Sequence, residues 1–287
     1  MHLDQAATLR NKIAHSSSKE ATIISVISGK GGVGKSNIGL NLAIQLSKRN
    51  EQVLIIDCDV GMANIDILMN HQTVSHLGHF LNGKKTLRSC IENIHYGFSF
   101  IGGGSSLEEL TEINTSNRER FVHEFQEIMY EYDYIFLDFG AGMSAWHTSL
   151  IDASQEIIVI TTPEPTSVMD AYASLKLLSK NFKNNHSIRF IVNRVEDEKE
   201  SILIFNRMFI ACQNFLKLPI EYLGYIREDL TVSKAVKAQI PFSVYEPKSK
   251  SSQNIVSIVK KIVQDDVAFQ KKESFVDRFK NYFFERK

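Results

Sequence analysis

Gly29-Lys30-Gly31-Gly32-Val33-Gly34-Lys35-Ser36 follows the apolar run Ile23–Ser28 and opens at once into a helical pattern, with Ile38, Leu42 and Leu46 at four-residue steps. The stretch fits G-x-x-x-x-G-K-[ST] in the setting that motif requires, between a strand and a helix. Its glycines let successive backbone N–H groups turn inward around phosphate oxygens, and the helix N-terminus adds a partial positive charge. Lys35 is expected on the β- and γ-phosphates, and the Ser36 hydroxyl on Mg²⁺. A random chain of this length meets the pattern roughly once in a hundred, and the flanking elements make a chance match rarer still.

Outward from this loop the chain alternates strand and helix. Strands are expected at Ile23–Ser28, Val53–Asp57, Tyr134–Phe139, Glu156–Thr161, Ile188–Asn193 and Tyr222–Ile226. Helical spacing covers Asn37–Arg49, Arg118–Tyr130, Ser167–Phe182, Ile202–Phe215 and Asn254–Val263. Unbroken apolar runs such as Ile157-Ile158-Val159-Ile160 mark strands covered on both faces. The expected class is α/β, a mainly parallel sheet with helices on both faces. Residues 1–15 carry a helical stripe (Leu3, Ala6, Leu9, Arg10, Ile13) that Ser16-Ser17-Ser18 breaks. After about residue 268 aromatics alternate with charges. The organisation read from this is a terminal helix and linker (1–19), a body (20–267) and a tail (268–287).

Composition narrows the function. Lys plus Arg and Asp plus Glu each count 33, so the formal net charge is zero, which disfavours a body that tracks along nucleic acid. Cys58, Cys90 and Cys212 are far apart, so neither a disulfide framework nor a Cys-ligated metal is expected. His76-x-x-His79 lacks an accompanying carboxylate or cysteine cluster and reads as an ordinary surface pair. No stretch approaches the ~20 apolar residues that span a bilayer, and Met1–Gln5 lacks the features of a signal peptide. A cytoplasmic protein is expected.

Lys30 goes beyond the generic motif, since a loop carrying Lys35 does not need it for its own phosphates. K-G-G-x-G-K-[ST] resembles the deviant Walker A loop of the MinD/ParA-type ATPases, P-loop NTPases of the SIMIBI class. The resemblance covers residues 22–245. It implies a Mg²⁺-dependent ATPase that cycles between ATP and ADP, slow and activated by dimerisation or membrane. It also implies an ATP-dependent homodimer in which Lys30 reaches the partner's nucleotide. Lys30, Gly31, Gly32, Val33, Gly34, Lys35, Ser36 and Asn37 would form the cradle.

Further motifs appear in the family's order. Asp57-Cys58-Asp59-Val60-Gly61-Met62-Ala63-Asn64 resembles switch I, which gives Asp59 the attacking water and sets Asp57 near the metal. Ile135 to Gly142 resembles the Walker B strand and switch II, with Asp138 accepting from metal-bound water. Gly140 replaces the family's proline, and a more mobile loop is expected there. Asn193-Arg194 matches the adenine-reading N-R, an amide able both to donate to and accept from a purine edge. Ile226, Arg227 and Glu228 resemble the loop that covers the base, with Arg227 in place of proline. Thr162-Pro163-Glu164-Pro165, with Asp170, matches a segment expected at a dimer or partner face.

The two ends add a more specific expectation. Phe275, Val276, Phe279, Tyr282 and Phe283 form an apolar stripe on a helix that also carries Arg278, Lys280, Arg286 and Lys287. Such a helix suits an anionic lipid interface; the alternative is a helix docked on its own core. Electrostatics adds about 1 kcal/mol per basic residue near anionic lipid, so one helix is a weak anchor and two on a dimer a better one. Asp4-Gln5-Ala6-Ala7-Thr8-Leu9-Arg10 resembles the N-terminal helix of the flagellar MinD-like ATPases of the FlhG type. That resemblance implies that Asp4, Gln5, Ala6, Leu9 and Arg10 stimulate the flagellar SRP-type GTPase FlhF, and that flagellar C-ring proteins are further partners. The expected function is control of flagellar number and placement, reversibly on the inner face of the cell membrane, with no specific nucleic acid. A MinD-type division-site regulator and a ParA-like partitioning ATPase are the alternatives.

Overall fold

Thr22–Ser28 forms β1, buried along its length except at Thr22. Its neighbours β5 (Tyr134–Asp138) and β6 (Glu156–Thr161) are buried throughout. Strands so apolar can lie only inside a sheet with helices on both faces. A computed structural model describes residues 19–59, 64–104, 115–140, 144–183, 186–266 and 274–284. Among them one sheet runs in the order β3-β4-β2-β5-β1-β6-β7-β8. The remaining strands are β2 (Val53–Asp57), β3 (Glu92–Asn93), β4 (Ser99–Ile101), β7 (Ser187–Val195) and β8 (Glu221–Arg227). Only β3, on the edge, pairs antiparallel.

Two helical layers cover the sheet. On one face α1 (Lys35–Ser47), α2 (Ile65–Leu68), α8 (Leu230–Ala238), α9 (Phe242–Tyr245) and α10 (Lys250–Asp266) bury Leu40, Ile65, Ala235, Phe242 and Ile258 among others. On the other, α3 (Leu77–Leu81), α4 (Thr115–Ile128), α5 (Ala145–Ala153), α6 (Pro165–Ser179) and α7 (Glu198–Ala211) bury Phe80, Phe125, Leu150, Leu175 and Met208. Connections from β1 run outward to β2 and those from β6 to β7, so the order reverses at β1. Ligands of open parallel sheets bind at the carboxyl ends of strands flanking such a point. Register brings two carboxylates there, for Asp57 is level with Asp138, and Asp138 with Val26 of β1.

The six expected strands are present, each within two residues of its expected bounds. β3 and β4 were not expected, nor were α2, α3, α5, α8 and α9. The expected N-terminal helix with Asp4, Gln5, Ala6, Leu9 and Arg10 lies outside the described residues. So do residues 60–63, 141–143 and the side chain of Phe283.

The tail helix α11 (Phe275–Phe284) takes the docked alternative over its described part. Phe275, Val276 and Phe279 are buried in the same core as α4 and α5. The Phe275 ring lies 4.9 Å from that of Phe125, and Phe279 meets Trp146 edge-on at 5.5 Å. Arg278 is buried and donates from Nη1 to the Ser154 carbonyl at 2.8 Å. Lys183 Nζ closes the far end, donating to the carbonyls of Asn281 (3.2 Å) and Tyr282 (3.4 Å). The stripe assigned to lipid is thus covered by protein in this conformation, because the aromatic floor of α4 and α5 offers it the same relief from water. Tyr282 is half-buried. Phe279→Ala is expected to cost about 3–5 kcal/mol of docking. Amide exchange checks this: protection should vanish across 275–282 while β1 and β5 keep theirs.

Candidate functional site

The loop after β1 has the shape its glycines permit. Gly32 and Gly34 have φ of 78° and 91°, a region that costs an L side chain about 1–2 kcal/mol. Gly34 also meets Asn193, whose Nδ2 would lie 2.5 Å from a Cβ built there. The loop leads into α1 with Lys35 buried at its first turn. Lys35 Nζ donates to Asp138 Oδ1 at 2.6 Å and to Ser36 Oγ at 3.3 Å.

Three carboxylates converge on that ammonium. Asp57 is buried; Oδ1 accepts from the Asp59 amide at 2.9 Å, while Oδ2 has no partner. Burial, then the neighbouring Asp138, pushes the Asp57 carboxyl well above the usual carboxylate range. Half-buried Asp59 is also raised by burial, with Lys35 pulling the other way. An orphaned buried acceptor beside a second acid is an arrangement that accepts a hydrated divalent cation. Among the described residues no three His, Cys, Asp or Glu side chains are grouped to grip an ion directly. Ser36, with Asp57 and Asp138 acting through water, is the set that fits Mg²⁺, whose habit is to keep waters and add phosphate oxygens.

Gly140 has a packing role at this point. A Cβ there would lie 2.4 Å from Asp59 Oδ1, so the Asp59 carboxylate rests in space that the family's proline would fill. Glycine in place of that proline makes room for the Asp59 carboxylate.

Beside the loop opens a cavity of about 390 Å³ lined by Gly34, Asn37, Ile38, Asn193, Arg194, Ile226, Arg227 and Glu228 from the expected set and its neighbours. Its far wall, with Val232, Ser233 and Val236 of α8 and Phe242 of α9, was not foreseen. Asp229, which caps α8 by accepting from the Thr231 amide at 2.8 Å, followed by Val232 and Val236 four apart, is the sequence signal that could have found it. The apolar wall and polar rim suit a flat heterocycle.

Lys30 points elsewhere. Its Nζ lies 3.1 Å from Glu164 Oε2 and 3.3 Å from Thr166 Oγ1, at the exposed start of α6. An exposed pair of this kind holds a side chain by about 1 kcal/mol or less. The structure therefore separates the lysines: Lys35 inside the site, Lys30 at its mouth with the segment expected at a partner face.

A family model described as ParA, NUBPL iron-transfer P-loop NTPase, matches residues 19–263. The chain is 34% identical over 259 residues to the flagellum site-determining protein YlxH of Helicobacter pylori, covering 89% of this chain and 87% of that protein. It is 30% identical over 242 residues to the antiactivator FleN of Pseudomonas aeruginosa, covering 84% and 85%. Among solved structures, the septum site-determining protein MinD of Pyrococcus horikoshii OT3, complexed with Mg-ADP, superposes with a TM-score of 0.70 at 24% identity, over 88% of this chain and 100% of that one.

Asp57 carries the testable consequence of this geometry. An acid raised on folding costs stability increasingly as pH climbs from its unfolded value, about 3.9, towards its folded one, and the full cost persists above. Asp57→Asn is therefore expected to raise the thermal midpoint of the nucleotide-free protein at neutral pH and to flatten its decline from about pH 4 upwards. The same change should lower magnesium-supported phosphate release about tenfold or more. Calorimetric scans and a phosphate assay check the two halves.

Proposed function

The chain belongs to the ParA/MinD family of P-loop ATPases, alongside the flagellum site-determining protein YlxH and the antiactivator FleN, and on that premise we propose that it sets flagellar number and placement as an ATP-dependent, membrane-associated dimer. The observation that carries this reading is the division of labour between the two lysines. Lys35 already serves the site from inside, whereas Lys30 waits at the mouth in a weak pair that a second subunit's phosphates would easily outbid.

In the proposed cycle Lys35 exchanges Asp138 for the β- and γ-phosphates, which releases Asp138 to the water shell of the metal. Ser36, with Asp57 and Asp138, would hold Mg²⁺, which when bound would supply positive charge to the transferring phosphoryl group. Asp59 leaves its seat on Gly140 to orient the attacking water. Lys30 crosses to the partner's nucleotide, so that neither site is complete alone. Asn193 and the segment Ile226-Arg227-Glu228 enclose the adenine.

Dimerisation would couple to the membrane through α11, the tail of the three-part division drawn above. No helix among the described residues is long and apolar enough to cross a bilayer, so attachment would be interfacial, through Phe275, Val276, Phe279, Tyr282 and Phe283. The N-terminal segment Asp4–Arg10 would stimulate the GTPase FlhF, with flagellar C-ring proteins as further partners. The name of one relative, the flagellum site-determining protein YlxH, supports this flagellar assignment. A division-site role of the MinD type is the second reading; it accounts for the phosphate loop and α11 but leaves Asp4–Arg10 unused.

With saturating Mg-ATP, Asp59→Ala is expected to trap a dimer that sediments with anionic liposomes, and deletion of residues 270–287 should abolish sedimentation while sparing the dimer. A monomer that stays in the supernatant would refute the cycle. Lys30→Ala should keep ATP affinity within about twofold and lose dimerisation, whereas Lys35→Ala should lose binding altogether. A pulldown separates the two readings: retention of FlhF, lost on Gln5→Ala, favours the flagellar one.

A further inference from the structure

β7 ends irregularly. Arg194 stands as an extra residue between the pairs Asn193↔Ile226 and Val195↔Arg227, and its φ of 58° puts a long L side chain in the left-handed region. Bulges beside active sites re-aim side chains, and a strained backbone persists only where its surroundings insist on it. Both residues here turn towards the phosphate loop. Asn193 Nδ2 donates to the Val33 carbonyl at 2.7 Å, and Arg194 Nη2 donates to the Gly32 carbonyl at 2.9 Å. The Arg194 amide donates to Asn193 Oδ1 at 2.9 Å, which fixes which way the Asn amide faces.

The consequence follows from peptide geometry. In a trans peptide the C=O and the following N–H lie in one plane and point in opposite directions. Fastening the carbonyls of Gly32 and Val33 outward, onto β7, therefore turns the N–H groups of Val33 and Gly34 the other way. Those amides belong to the turn that must face phosphate, and the loop's glycines would otherwise leave them many orientations. We infer that Arg194 is a positioning residue for the phosphate end of the nucleotide. It acts through the Gly32 carbonyl to preorganise the loop's amides, rather than by reading the base. Asn193 does both jobs, since its amide keeps one N–H and one lone pair for a purine edge after its bonds to Val33 and Arg194 are counted.

This assignment rests on the nucleotide site proposed above, and the experiment keeps the two apart. Arg194→Gly suits the positive φ, so the fold survives, while the guanidinium is lost. Titration calorimetry with Mg-ATP, Mg-GTP and Mg-tripolyphosphate should show all three affinities falling by the same factor, about five- to tenfold. The ATP-to-GTP ratio and the thermal midpoint without nucleotide should not move, and Arg194→Lys should recover part of the loss. A collapse of the ATP-to-GTP ratio with tripolyphosphate affinity intact would overturn the assignment in favour of base reading. A midpoint that drops together with the affinities would overturn it in favour of a merely structural role. If the unsubstituted protein gave no heat with Mg-ATP, the nucleotide site itself would fall, and this assignment with it.

Discussion

One ammonium among three carboxylates governs the centre of this molecule. Lys35 is bonded to Asp138, with Asp57 buried beside them and Asp59 half-buried nearby. Parallel pairing makes the crowding unavoidable, because β2 and β5 lie side by side with Asp57 level with Asp138. Like charges so close in a desolvated place disfavour one another's ionisation. A polyphosphate arriving alone would meet that same negative field once it drew Lys35 away. A divalent cation arriving with it replaces the lost positive charge, so metal and nucleotide are natural co-ligands of such a site.

Much of this was legible in the sequence, for reasons that differ by element. β1, β2, β5 and β6 are covered on both faces, so apolar residues dominate them, and a run such as Ile157-Ile158-Val159-Ile160 cannot hide even though Ser25 interrupts β1. β3 and β4 are only two and three residues long, too short for any period to register. α8 and α9 are only nine and four residues long, too few turns for an apolar stripe to stand out, and with them went one wall of the cavity beside the loop. The Asn193 bond to Val33 joins residues 160 apart; no local pattern announces such a contact. For Gly140 the sequence shows only a missing proline. What the glycine admits is visible only once Asp59 is seen lying against it.

Charge placement separates what is settled within one subunit from what is left open. The pairs inside the body, such as Arg189 with Glu156 across β7 and β6, are buried on both sides, and removing either partner would strand a charge in low dielectric. Lys30 and Glu164 are a different case, exposed and weakly held. The fold spends its strong electrostatics on rigidity and leaves the signature lysine in a contact that water competes for. A side chain proposed to reach another molecule's phosphate could be kept no more firmly than that.

The docked helix α11 has an implication for whatever state lacks it. Its seat is floored by Phe121, Phe125 and Trp146, rings that meet Phe275 and Phe279 directly. Were the helix to lift away, a lipid surface could shelter the departing aromatics but not the ones left behind. The liberated form would carry a greasy trench on its flank, a hazard for clumping at high concentration. Natural lifetimes of that form should be short unless something else lies down in the trench.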